Sequence, residues 1–392
     1  MNRDQFTNLS PMDRLSVLAR NIKSVKNPAT VFGPDAKTAK IAHRKLAKAL
    51  HPDVIDGDED DDIANDAFST MEKLWSSIKD AVNSDDYDGS VPTEEYAGTI
   101  DYRKQTYNLI YITEGDAGDY YALEGTRMIV HIARSPKDNA LYENEATVVK
   151  GLNQSQFYEE LKAFHLVPEL ITSMNVGGNK ANLFQFKEFG NILAPPHFYT
   201  LNQLAHHYKK MGKPFQIKKI GWLWSRLNDF ISFISMNGIV HAGITPDSIL
   251  IEPTQHIVIV MNYLHSSIKE SPYKSFSKSW RSELYPPEFA KGVRVHPSLD
   301  VYMAAKSILW AYKVADTTLP NPIIKYFQGC TAHSPNTRLN DGESRYSRWK
   351  EGILMDQLGW PSEFVRTDIN PEEISRDFAD YNDEIDWSWW WC

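Results

Sequence analysis

An acidic stretch at residues 84–100 constrains this sequence most, because it separates two regions of different hydrophobic pattern. The stretch is rich in Asp, Glu, Ser, Gly and Tyr and poor in aliphatic residues, which is typical of a segment that connects domains. Only helical spacing of apolar residues precedes it, whereas strand-like runs and then helical patterns follow it. We therefore predict two folded domains joined by an acidic linker, which suits a chain of 392 residues.

The region before the linker is predicted to be all-α. Residues 1–28 are expected to form an N-terminal extension with one amphipathic helix at 11–22. Residues 29–83 are expected to form a helical hairpin, in which Asp35 caps the first helix and an acidic loop at 56–62 precedes the second. The second helix is indicated by apolar residues at helical spacing, namely Ala67, Phe68, Met71, Leu74, Trp75 and Ile78.

The region after the linker, residues 101–355, is predicted to be an α+β domain with two lobes. Strands are expected at 107–113, 127–133 and 183–187, with a glycine-containing turn at 115–118 and a helix at 141–152. After Leu201 the pattern is mainly helical and is interrupted by short strands at 249–251 and 256–260. The change from strand-rich to helix-rich sequence indicates the two lobes.

Composition excludes several functional classes. Lys and Arg number 42 against 51 Asp and Glu, so the net charge of −9 disfavours nucleic acid as a partner. Cys330 and Cys392 are the only cysteines, which is too few for a disulfide framework or a multi-cysteine zinc site. The sequence shows no signal peptide and no apolar run long enough to span a bilayer. We expect a cytoplasmic protein without membrane association, in the host cytoplasm if its source is viral.

The tripeptide His51-Pro52-Asp53 lies between the two helices of the predicted hairpin. Pro52 ends a helix because it lacks an N–H, and Asp53 offers a carboxylate that can pair with an arginine of a partner. The preceding helix has a basic face without acidic residues, made by Lys37, Lys40, Arg44, Lys45 and Lys48. This arrangement resembles the J domain of DnaJ-type co-chaperones.

The resemblance implies a partner and a set of contact residues. A DnaK-class chaperone would bind His51, Pro52, Asp53, Lys40, Arg44, Lys45 and Lys48, and its ATP hydrolysis would be stimulated. The alternative is that Pro52 and Asp53 only stop a helix and that the lysines form a solvated face. The aspartates at 56–62 depart from the family pattern, since they can compete with the partner for the basic helix.

Those aspartates also alternate as in a calcium-binding EF-hand loop, beginning at Asp56. The match fails at the sixth position, where Asp61 replaces the glycine of the sharp turn, and at the twelfth, where Ala67 replaces a bidentate glutamate. A solvated acidic loop is the preferred interpretation, and we expect no metal and no other cofactor.

The segment 240–251 contains His241 and Pro246 ahead of a strand-like run and resembles the catalytic loop of protein kinases. Other landmarks follow the order of that family. Glu145 resembles the glutamate of the αC helix, Glu288 ends an Ala-Pro-Glu-like motif, Asp300 resembles the buried aspartate that starts and caps the central C-lobe helix, and Arg338 resembles the structural arginine that pairs with Glu288. The resemblance implies a two-lobed protein-kinase-like fold for residues 101–355.

The positions that carry phosphoryl transfer in that family hold unsuitable residues here. His131 replaces the strand lysine, and we expect it to be mostly uncharged and too short to bridge phosphates and Glu145. The remaining replacements are Gly243 for the catalytic aspartate, Thr245 for the loop lysine, Ser248 for the metal-binding asparagine, and Met261-Asn262-Tyr263 or Asn262-Tyr263-Leu264 for Asp-Phe-Gly. These substitutions predict a pseudokinase with no catalytic residues. A different acid–base site that uses His131, Glu145, His241 and Asp247 is the alternative.

Residues 356–392 form a predicted acidic tail with Trp387, Trp389, Trp390 and Trp391 near its end. This segment is too short to bury four indoles by itself. We therefore expect the indoles to dock on the preceding domain or to bind a partner. As a whole, the sequence predicts a J-like module that recruits a DnaK-class chaperone and a kinase-like scaffold that selects an unknown client, an arrangement similar to some bacterial and phage proteins. The alternatives are an interaction protein of a larger assembly, which uses the hairpin only for docking, and a nucleotide-responsive switch.

Overall fold

A computed structural model of the chain describes residues 11–24, 28–50, 60–84, 87, 97–187, 197–252, 257–269, 271, 281–289, 295–339, 342–359 and 374. These residues form two compact units, one within residues 11–87 and the other within residues 97–374. The predicted coarse class is confirmed, since a helical region is followed by an α+β region. None of the described helices has the length and the apolar run that crossing a membrane requires.

The first unit consists of helices α1 (Pro11–Ser24), α2 (Pro28–Phe32), α3 (Ala36–Leu50) and α4 (Asp60–Ser84). The Oδ1 atom of Asp35 accepts hydrogen bonds from the amides of Lys37 and Thr38, both at 3.0 Å, so the predicted cap of α3 is present. All four helices contribute to one hydrophobic core, which includes Leu18, Ile22, Phe32, Leu46, Leu50, Met71, Trp75 and Ile78. Helix α1, which lies within the predicted extension at 1–28, contributes to this core.

The second unit begins with a six-stranded antiparallel sheet in the order β1-β2-β3-β4-β6-β5. Its strands are β1 (Thr99–Tyr102), β2 (Gln105–Glu114), β3 (Gly118–Leu123), β4 (Met128–Ala133), β5 (Glu169–Val176) and β6 (Asn179–Gln185). Helix α5 (Asn139–Asn153) connects β4 to β5 and packs on β5 and β6, and a short helix α6 (Gln156–Glu160) follows it.

Three details of the sheet differ from the sequence-based expectation. The turn at 115–118 joins β2 to β3, and β3 itself was not predicted because Gly118 and Asp119 hide its alternation of buried and half-buried positions. Strand β5 was also not predicted, since most of its side chains are half-buried and half of them are polar. Strand β1 begins at Thr99, inside the predicted linker.

The rest of the unit is mainly helical. Its helices are α7 (Leu201–Lys210), α8 (Ile217–Met236), α9 (Ser298–Val314), α10 (Asn321–Cys330) and α11 (Gly342–Trp349), which continues into a π-helical turn at Lys350–Met355. Its short strands are β7 (Tyr199–Thr200), β8 (Ile239–Val240), β9 (Ile249–Glu252), β10 (Ile257–Val260) and β11 (Ser267–Ile268). Helix α9 is buried on most of its faces and packs against α7, α8 and α10, because its sequence is apolar around the whole circumference. A side chain of this helix, Asp300, binds the backbone of the candidate site.

Candidate functional site

Strand β4 and helix α5 bring His131 and Glu145 into contact. Nδ1 of His131 lies 2.9 Å from Oε2 of Glu145, and both side chains are fully buried. Helix α5 packs close enough to the sheet for the His131 imidazole to contact Glu145, and it stays a prediction that this side chain cannot bridge Glu145 and phosphates. A histidine–glutamate pair therefore joins the sheet to this helix.

Two further groups contact the carboxylate of Glu145. It accepts from Nδ2 of Asn182 at 2.9 Å and from the amide of Tyr263 at 3.2 Å. Together with Nδ1 of His131, these groups give the carboxylate three buried polar partners. Nε2 of His131 has no hydrogen-bond partner among the described residues. The Tyr120 ring stacks on the imidazole at 3.9 Å between centroids, so aromatic packing seals the pair from solvent.

The turn between β2 and β3 is held closed by Arg134 at the end of β4. The guanidinium donates to the carbonyl oxygens of Gly115 at 2.9 Å and Asp116 at 3.1 Å and to Oδ1 of Asp119 at 2.8 Å. A Cβ atom on Gly118 would lie 1.8 Å from the Tyr142 hydroxyl, so this position requires glycine. Binding phosphates would require amides to converge on the ligand, whereas carbonyl oxygens of this turn converge on a cation.

The segment 241–248 is organised by the carboxylate of Asp300. Its oxygens accept from the amides of His241 at 2.8 Å and Ala242 at 2.9 Å. Burial raises the pKa of Asp300 to about 7, although the two amide hydrogen bonds oppose the shift. The expectation that Asp300 caps its helix is wrong, because Pro297 occupies the N-cap position of α9 and no side chain caps it. Asp300 instead fixes the backbone where the loop begins.

The side chains of the loop bond to the loop itself. Burial lowers the pKa of His241 to about 3, so its imidazole is neutral, and Nδ1 accepts from the amide of Gly243 at 3.2 Å. The Ser248 hydroxyl accepts from the amide of Thr245 at 2.9 Å and donates to the carbonyl oxygen of Thr245 at 3.1 Å. Gly243, Thr245 and Ser248 therefore share one closed loop, and none of these three residues supplies a carboxylate.

The residues that follow β10 complete this region. Met261 and Asn262 are both buried, and the amide of Met261 donates to the carbonyl oxygen of Ser248 at 2.8 Å. Asn262 has a φ of 69°, a left-handed conformation that asparagine tolerates better than most residues. Neither residue supplies a carboxylate, so the position expected to bind magnesium in the kinase family has only an amide and a thioether.

Arg338 and Glu288 form the expected pair. Nη2 of Arg338 lies 2.7 Å from Oε2 of Glu288, and Nη1 bonds to the other carboxylate oxygen. The guanidinium lies 4.7 Å from the centroid of Tyr302, and its Nε donates to the carbonyl oxygen of Ala332 at 2.8 Å. The pair ties the loop before α9 to the loop after α10.

In the first unit, the predicted basic face lies on α3. Lys40 is half-buried, and Arg44, Lys45 and Lys48 are exposed, while the opposite face places Leu46 and Leu50 in the core. His51, Pro52 and Asp53 lie outside the described residues, as do the four tryptophans at 387–391. The predicted acidic loop at 56–62 is shorter than expected, because α4 begins at Asp60.

Sequence reasoning missed several polar partners of these groups. They are Asn182, Arg134, the Asp116–His265 contact at 2.5 Å and the pairing of Asp247 with Arg281. Asn182 has a signal, since it is a polar residue between Ala181 and Leu183 in a buried strand. The alternative acid–base site is not assembled, because His131 and Glu145 meet, whereas His241 contacts its own loop and Asp247 bonds to Arg281.

Within the part of the chain that the structure describes, no three His, Cys, Asp or Glu side chains come together as a metal site. No protein-family model matches the chain, and no curated protein matches it.

Proposed function

We propose that residues 101–355 form a protein-kinase-like unit that does not transfer phosphate and serves as a binding scaffold. The strand order β2-β3-β4-β6-β5, with helix α5 between β4 and β5, supports this assignment. So do the Glu145 contact with β4, the anchoring of the 241–242 backbone by Asp300 and the Glu288–Arg338 pair. The contacts that stabilise such a fold are present while the residues of its chemistry are replaced.

One observation carries the proposal: Glu145 is bound by His131, Asn182 and the Tyr263 amide instead of a lysine that holds phosphates. A neutral imidazole cannot neutralise phosphate charge. Gly243 supplies no group to orient a hydroxyl nucleophile, and Ser248 is bonded to Thr245. Without a base and without carboxylate ligands for magnesium, the main contributions to phosphoryl transfer are lost.

We further propose that the helical unit is J-like and recruits a DnaK-class chaperone, so that a client bound by the scaffold is delivered to it. The exposed cations Arg44, Lys45 and Lys48 on α3 and the tripeptide that follows this helix support the proposal. A positive helix face attracts an acidic partner surface and accelerates its association at low salt.

The test is the single-turnover hydrolysis of ATP by a purified DnaK-class chaperone in the presence of this protein. We expect the wild type to accelerate hydrolysis, His51→Gln to abolish the effect, and Arg44→Gln with Lys48→Gln to weaken it and reduce its salt dependence. Lys73→Gln, an exposed position on α4, is the matched control and should behave as the wild type.

Equal rates with the wild type and His51→Gln would contradict chaperone recruitment. The alternative of a docking hairpin in a larger assembly would then be favoured if a stoichiometric partner that is not a chaperone co-purifies with the wild type and with His51→Gln. A nucleotide-responsive switch is tested by thermal unfolding with ATP and magnesium, since a ligand that binds the native state raises the midpoint. Because Arg134 occupies the carbonyls of the β2–β3 turn, we expect no shift of the midpoint.

A further inference from the structure

Asp247 is the centre of a group of polar contacts that the kinase-like chemistry does not use. We call the group formed by Asp247, Asn202 and Trp310 around Arg281 the Asp247 pocket. Its carboxylate is only 3% exposed, and Oδ1 accepts from Nδ2 of Asn202 at 2.6 Å. Nε of Arg281 donates to Oδ2 at 2.7 Å, and Nη2 donates to Oδ1 at 3.1 Å. The carboxylate therefore binds a guanidinium with two parallel hydrogen bonds, the geometry that arginine matches and lysine does not.

An aromatic side chain completes the pocket. The guanidinium carbon of Arg281 lies 4.6 Å from the centroid of Trp310, within the range of a cation–π contact. The His206 ring meets the indole edge-on at 5.9 Å between centroids. The Asp247 carboxylate and the Trp310 indole together form a site that suits a flat, positively charged group. The Arg281 side chain is 18% exposed, so the pocket reaches the surface at the guanidinium.

The backbone that delivers Arg281 to this pocket is strained. Arg281 has a φ of 54°, in the left-handed region that is unfavourable for a non-glycine residue. It stands at the N-cap position of the 3₁₀ turn Ser282–Leu284 without a side-chain cap. The pocket contacts thus hold the backbone in a conformation that it does not favour, so Arg281 is bound as a tethered ligand.

We propose that Asp247, Asn202 and Trp310 form a guanidinium-binding site. Arg281 is its resident ligand, and the arginine side chain of a partner polypeptide is the ligand class that replaces it. Replacement releases the left-handed conformation at Arg281, which favours the exchange. The tether raises the local concentration of the resident guanidinium, so a free arginine cannot compete and a partner needs additional contacts nearby. This site is independent of chaperone recruitment.

The test uses Arg281→Ala, which empties the site, with N-acetyl-L-arginine amide and N-acetyl-L-lysine amide as probes at equal ionic strength. We expect the arginine probe at tens of millimolar to raise the unfolding midpoint by about 2–4 °C more than the lysine probe. The two probes should have equal effects on the wild type, whose site is filled. They should also have equal effects on Arg281→Ala with Asp247→Asn, in which the carboxylate is lost.

Equal midpoints with the two probes in Arg281→Ala would overturn the proposal. If Arg281→Ala does not fold, Arg281→Lys gives the decisive comparison, because it keeps the charge and removes the planar fork. We expect its midpoint to fall by about 2–6 °C below that of the wild type. An unchanged midpoint would show that the pocket recognises charge alone and would contradict a guanidinium site.

Discussion

Glu145→Gln is the substitution that most directly probes the buried pair. The carboxylate accepts from His131, Asn182 and the Tyr263 amide at 2.9, 2.9 and 3.2 Å. A glutamine keeps one carbonyl acceptor and turns an NH₂ donor toward the others, so one or two of the three buried donors lose their partner. Each unsatisfied buried donor costs about 1–3 kcal/mol, and we expect a loss of about 2–4 kcal/mol.

Native-state hydrogen exchange of the β4 and β6 amides measures this loss in the sheet itself, which avoids assigning one unfolding free energy to a chain with two units. A loss of about 2–4 kcal/mol corresponds to roughly 30- to 700-fold faster exchange when opening and closing are fast compared with exchange from the open state. Glu143→Gln is the matched control, because Glu143 lies on the same helix, is 64% exposed and only contacts Lys180 at 3.4 Å. Exchange in Glu145→Gln within a factor of about two of that control would refute the interpretation of Glu145 as the acceptor for three buried donors.

Four further predictions concern the second unit. Burial lowers the pKa of His241 from 6.5 to about 3, so the protein loses stability as the pH falls below 6.5. His241→Gln lacks this loss, so its stability should rise by about 2 kcal/mol relative to the wild type between pH 7 and pH 5, as measured by exchange of the α9 amides. Burial raises the pKa of Asp300 to about 7, so its contribution to stability is present at low pH and is lost as the pH rises through 7. Asp300→Asn lacks this contribution, so its stability should fall relative to the wild type between pH 7 and pH 5. Arg103 and Lys104 form the two-residue turn between β1 and β2, with φ of 49° and 66°. Asn and Gly adopt positive φ more easily, so Arg103→Asn with Lys104→Gly should slow amide exchange in β1 by the equivalent of about 1–2 kcal/mol. Faster exchange would contradict backbone strain in this turn. Arg338→Met should cost about 2–4 kcal/mol in the same exchange assay of α9, because it leaves the partly buried Glu288 without its cation, and a cost below about 1 kcal/mol would contradict the structural role of the pair.

The elements that could be predicted from the sequence are those with strong local periodicity. The helices found as α3, α4 and α5 were predicted because their apolar residues recur at helical spacing, and the Asp35 cap was predicted because its residue type and place are local signals. Strands β3 and β5 were not predicted, since an aspartate and two tyrosines in β3, and adjacent Thr and Ser in β5, interrupt their alternation. Tertiary pairing in a sheet overrode weak local preference in both cases.

The polar contacts of the site depend on residues that are far apart in the chain, which periodicity cannot pair. Asp116 and His265 are separated by 149 positions, and Asp247 and Arg281 by 34. Asp300 was predicted at the correct helix, but its acceptor role was not, because the amides that it binds belong to the distant 241–242 backbone. Residue type identified which groups matter, whereas the fold decided what each of them contacts.

The central claim is that the second unit lacks the chemistry of phosphoryl transfer. It is tested most directly by incubating the purified protein with γ-³²P-labelled ATP, magnesium and a mixture of protein substrates. The account predicts no label on this protein or on any substrate. Label that appears with the wild type and disappears in His131→Ala or Gly243→Ala would contradict it, because a group that we consider unable to hold phosphate or to orient a nucleophile would then be catalytic.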